Sequence, residues 1–91
     1  MYTSSVKLTF QIPHANSLKD KRMVCRSILD KSRRKFNASI SEVDSQDNHQ
    51  ILVLGIAVVS GDASFGRSHL EKIIRFMEEN TDAILIEAEE E

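Results

Sequence analysis

The 91 residues predict an α+β fold of the ferredoxin-like plait type, a four-stranded antiparallel sheet with two helices on one face. Three observations carry that expectation. Period-two strand patterns and period-3.6 helix patterns follow one another in the order strand, helix, strand, strand, helix, strand. One strand is apolar on both faces, as a central strand must be. Two split units of this kind with right-handed crossovers close into one sheet, with expected strand order 4-1-3-2.

Residues 5–12 read SVKLTFQI. Val6, Leu8, Phe10 and Ile12 alternate with Lys7, Thr9 and Gln11, the mark of a half-buried strand. Pro13 ends it, because proline cannot donate to a ladder. Asn16 or Ser17 can cap the helix that follows, and Ser17 with Asp20 resembles a capping box with a shortened acid. Leu18, Cys25, Ile28, Leu29 and Phe36 share one helical face, with Val24 at its edge, so the first helix is expected over 18–35. A second strand starts near Ala38 and passes through Ile40. Val43 falls out of its period, which predicts a bulge around Ser41–Glu42. Residues 44–48, DSQDN, are turn chemistry. Ile51 to Val59 is the two-sided apolar strand. Asp62 is a cap for a second helix over 64–79, whose stripe is Leu70, Ile73, Ile74 and Met77, and Gly66 would let it approach the sheet. AILIEAE at 83–89 supplies the last strand, its glutamates guarding an edge against unwanted pairing.

Length and composition set limits. A chain of this size is expected to be one domain with one core. A single cysteine, Cys25, cannot form an internal disulfide. The first residues alternate and lack the apolar run of a signal peptide, and the longest apolar stretch, residues 51–59, is far short of the roughly 20 needed to span a bilayer. No membrane role and a cytoplasmic location are therefore expected.

Charge is the most informative feature for function. Net charge is −2, yet eight of the twelve Lys/Arg residues lie between Lys19 and Lys35, opposed there only by Asp20 and Asp30. That segment carries +6 and the remainder −8. Lys19, Arg22, Arg26 and Arg33 follow spacings of three, four and seven, within about 60° of one another on an ideal helix. Such a stripe suits successive phosphates of RNA. The competing reading is a solvated helix surface whose cations pair with the acidic sheet edges. The other RNA mode available to this fold, bases stacked on aromatic side chains of the third strand, is excluded, because that strand contains no aromatic.

The third strand has two apolar rows, Leu52, Leu54, Ile56 and Val58 on one side and Ile51, Val53, Ala57 and Val59 on the other. Two helices cover only one of them. The second row is expected to be an oligomer interface, unless Lys7, Gln11 and Glu87 fold across it. Catalytic signals are weak, and a non-enzymatic protein is expected. The loop after the first strand, PHANSLKDKR, has no glycine to let backbone N–H groups converge on a phosphate. His14, His49 and His69 lack metal-ligand spacing with one another or with Cys25, so neither a metal nor another cofactor is expected. Cys25, on the apolar helix face, reads as a core residue. The densest polar cluster is residues 45–50, where Gln46, Asp47, His49 and Gln50 form a candidate polar site that a hairpin connection explains equally well.

Together SLKDKR at 17–22, KFNASISE at 35–42, QDNHQ at 46–50 and GIAVVS at 55–60 resemble the YlxP-like family of small bacterial proteins, a domain of unknown function. His49 departs from the family pattern, which has tryptophan there, so a large aromatic contact at that corner is not carried over. The resemblance implies the same plait. Its members are commonly encoded beside translation and ribosome-maturation factors, which implies a connection to ribosomal RNA or the ribosome by association.

Overall fold

The computed structural model describes residues 1–91 and contains the six expected elements in the expected order: β1 Tyr2–Gln11, α1 Leu18–Lys35, β2 Ser39–Asp44, β3 Ile51–Ser60, α2 Ala63–Glu79 and β4 Ile84–Glu90. The strands pair antiparallel in the order β2-β3-β1-β4. This is the ferredoxin-like plait. β1 begins three residues before the alternating stretch that announced it, because Tyr2 to Ser4 continue the register against β3 up to Ser60.

One face of the sheet builds the core. Val6, Leu8 and Phe10 of β1 and Leu52, Leu54, Ile56 and Val58 of β3 are all buried, and Ile28, Leu70, Ile73 and Met77 close over them from the helices. α1 lies over β2 and β3, and α2 lies over β1 and β3. Each helix starts at a side-chain cap. The Ser17 hydroxyl accepts from the Asp20 N–H at 3.1 Å, and the short Asp20 carboxylate reaches back to the Asn16 N–H at 2.9 Å. Asp62 accepts from the N–H groups of Ser64 and Phe65, which hold its carboxyl below the ordinary carboxylate range. Gly66 is buried where α2 crosses the sheet. A Cβ there would stand 2.6 Å from the Ser4 hydroxyl and 2.9 Å from that of Ser60.

The bulge in β2 falls at Val43, one residue beyond the expected place, where pairing slips between Glu42↔Leu54 and Asp44↔Val53. The extra residue lets Val43 lie across Gly55 on the helix-free face, where a Cβ would meet its methyl at 2.9 Å. A second slip, between Thr9 and Phe10, leaves Ile86 of β4 unpaired and places Glu87 and Glu89 opposite Thr9 and Lys7. The acidic strand and the basic helix therefore present their charge on opposite faces of the molecule.

The second apolar row of β3 is not the continuous exposed strip that the sequence suggested. Val53 is 5% exposed, Ile51 and Ala57 are half-buried, and only Val59 stands clear in water. Register places Thr9 and Asp44 on either side of Val53, and Lys7 forms an ion pair with Glu89 across the same face. The exposed apolar side chains of that face are Val59, Val43 and Ile84, separated along the strands.

Candidate nucleic-acid interface

α1 and the β2–β3 turn form the walls of an open groove of about 640 Å³. The helix wall carries Arg22, Arg26 and Arg33; the turn wall carries Gln46 and Asp47. Two candidate sites separated by more than ten residues in the chain are thus one place in the fold. Cys25 and Leu29 make the apolar part of the lining.

The tie that closes the far end of this groove is Lys21, which is 2% exposed. Its ammonium lies 3.0 Å from the Glu42 carboxylate and donates to the Ser45 carbonyl at 2.5 Å. The contact to Glu42 is an ion pair and not an aligned hydrogen bond. Ser45 is the one non-glycine residue with positive φ, at 53°, and its carbonyl also accepts from the Asn48 N–H. The turn therefore takes its shape from a cation supplied by the helix. Sequence reasoning counted Lys21 only as charge. The signal was present: Lys21 precedes Cys25 by four and Ile28 by seven, which is the apolar face, and Glu42 follows Ile40 by two, which is the core side of β2.

The four stripe residues do not share one environment. Arg33 is engaged, its Nε and Nη2 donating to the Ile40 carbonyl at 3.2 and 2.5 Å, so it fastens the end of α1 to β2. Lys19 is exposed beyond the groove, and Arg22 and Arg26 are exposed on its rim. The molecule has two ion pairs, Lys7–Glu89 and Lys21–Glu42. No carboxylate lies within 4 Å of Lys19, Arg22 or Arg26, so the pairing of these cations with acidic sheet edges that the competing reading invoked does not occur.

Of the candidate polar residues, Gln46 and Asp47 line both the groove and a neighbouring open depression, whereas His49 lines only the depression. Gln50 serves the fold: its N–H donates to Asn48 Oδ1 and its carbonyl accepts from Ile12. Cys25 is buried, and burial pushes its thiol pKa up, reinforced by the Glu42 carboxylate and opposed by Lys21 and Arg33. A thiol held protonated is a poor nucleophile at neutral pH. No three His, Cys, Asp or Glu side chains converge as metal ligands, and no helix is long and apolar enough to cross a membrane.

Comparison with known proteins places this architecture. The chain resembles, with a TM-score of 0.62 and 19% identity, a de novo designed protein with a ferredoxin fold solved by NMR in solution, over 94% of this chain and 82% of that one. At that identity the likeness concerns the fold alone. It is 41% identical over 64 residues, 70% of each chain, to the uncharacterized protein YlxP of Bacillus subtilis (strain 168). A family model described as protein of unknown function (DUF503) matches residues 3–90. With nearly every element inside that match, the chain belongs to the DUF503 family.

Proposed function

We propose that this chain is a non-enzymatic, cytoplasmic RNA-binding protein, an accessory factor that grips ribosomal RNA through the exposed face of α1. The observation that supports it is the set Lys19, Arg22 and Arg26, three exposed cations on one helix with no carboxylate within 4 Å. A phosphate backbone carries condensed counterions, and cations with no carboxylate partner can take their place on successive phosphates, releasing those ions and so driving binding. Arg33, bonded to Ile40, adds field but not a free contact. Three phosphate contacts give a salt slope of about 2 to 3. Co-sedimentation with ribosomes across a salt series tests the reading. Retention at low salt that falls with that slope is the expected result, and absence from the ribosomal pellet even at low salt overturns it.

A second reading, a homo-oligomeric interaction module, is favoured by Val59, Ile84 and Ile86, which are 65%, 52% and 53% exposed. Light scattering at high micromolar concentration separates the two, since the RNA reading needs only a monomer.

A further inference from the structure

Three of the four phenylalanines lie outside the core. Phe36 follows the last residue of α1, and Phe65 and Phe76 stand on α2. The Phe36 ring is 5.3 Å from Phe76 and 5.8 Å from His69, and His69 is 6.1 Å from Phe65. These contacts make one aromatic row, Phe65–His69–Phe36–Phe76, across the seam of the two helices. Residues 65, 69, 72 and 76 recur at spacings of four, three and four, so Lys72 belongs to the same stripe of α2. Lys35 holds its ammonium 4.8 Å from the centre of the Phe76 ring and 5.9 Å from that of Phe36.

Packing explains half of this row. Phe36 and Phe76 are half-buried and seal the helix seam. Phe65 is 63% exposed at the end of the row, where its ring gives up most of the burial that normally places phenylalanine inside. Lys35 lies against the row and Lys72 shares its stripe of α2, and neither has a carboxylate within 4 Å. Aromatic faces rimmed by free cations complement a ligand that is itself aromatic and anionic.

We propose that this row is a stacking platform for unpaired nucleobases, and that the RNA taken by α1 is single-stranded. The inference rests on the reading of α1 as a phosphate-binding surface. Every base offers a π-face, so stacking on Phe65 and His69 is tolerant of sequence, while Lys35 and Lys72 meet the phosphates beside them. A duplex keeps its bases inside its own stack and leaves the platform empty. The aromatic positions that the third strand lacks are supplied by the helix layer.

The test compares a 12-nucleotide single-stranded RNA carrying 2-aminopurine with a 12-base-pair RNA duplex, using the full chain. The single strand should bind more tightly, with 2-aminopurine fluorescence quenched on binding. Phe65→Ala should weaken single-strand binding by roughly 5- to 100-fold and abolish the quench. The same variant should leave duplex affinity unchanged, and Phe65→Trp should restore single-strand binding. Equal affinity for both RNAs with no response to Phe65→Ala overturns the platform while leaving the phosphate reading intact. Failure of both RNAs to bind at low salt overturns the phosphate reading, and the platform with it.

Discussion

Lys21 of α1 and Glu42 of β2 meet at 3.0 Å from the inward faces of their two elements, with the lysine 2% exposed. A cation this deeply buried is tolerated because a carboxylate and the Ser45 carbonyl replace its water. The pair joins helix, strand and turn at one point, and the groove wall carrying Gln46 and Asp47 depends on it.

Breaking the pair from one side should therefore be costly. Lys21→Met leaves Glu42 without its counter-charge and should destabilise the fold by about 3 kcal/mol, the lower end for a broken buried pair because Glu42 keeps partial access to water. Lys21→Met combined with Glu42→Leu should cost less than Lys21→Met alone. Urea denaturation of the three variants measures the cycle. A double variant as unstable as the sum of the singles would show that the two residues do not interact.

Arg22, Arg26 and Arg33 should separate into binding and folding roles. Arg22→Gln with Arg26→Gln should lower the salt slope of RNA binding by about 1.5 to 2. Stability should stay within about 0.5 kcal/mol, because both side chains are exposed. Arg33→Gln removes the bonds to Ile40 and should cost about 1 kcal/mol, with a smaller effect on the slope. Anisotropy titrations and thermal melts on the same samples give both quantities.

Gly66→Ala places two effects in opposition. Alanine favours a helix interior by about 1 kcal/mol. The added Cβ, however, would sit 2.6 Å from the Ser4 hydroxyl and 2.9 Å from that of Ser60, both on short side chains beneath the helix. The clash should win, giving a net loss of about 1 to 2 kcal/mol. Adding Ser4→Ala should recover part of it, as a denaturation midpoint would register.

The cap at Asp62 makes a pH prediction. Its carboxyl is held below the usual range by the N–H groups of Ser64 and Phe65. A lowered native pKa contributes stability that is present above the unfolded value, near 3.9, and is lost as pH falls through the native value. Asp62→Ala should melt below the parent at neutral pH, and the gap should close as the medium becomes strongly acidic. Asp62→Asn, which still accepts a hydrogen bond but does not titrate, should start from a smaller gap and change with pH by the same amount.

Much of this fold is written locally. The period of Leu18 to Phe36 and the Ser17 cap set the limits of α1, and the two-sided apolar pattern of residues 51–59 put β3 at the centre of the sheet. The misplaced Val43 announced a bulge to within one residue. These features follow from the relation of each side chain to its own backbone, and periodicity reports that relation directly. What stands opposite a side chain depends on pairing between distant segments, which no local pattern contains. Tertiary structure alone therefore decided that Lys21 finds Glu42, that Arg33 is spent on the Ile40 carbonyl, and that Arg22 and Arg26 face Gln46 and Asp47. It also decided the aromatic row: Phe36 and Phe65, 29 positions apart in the sequence, are joined through His69 because the two helices pack on the same face of one sheet.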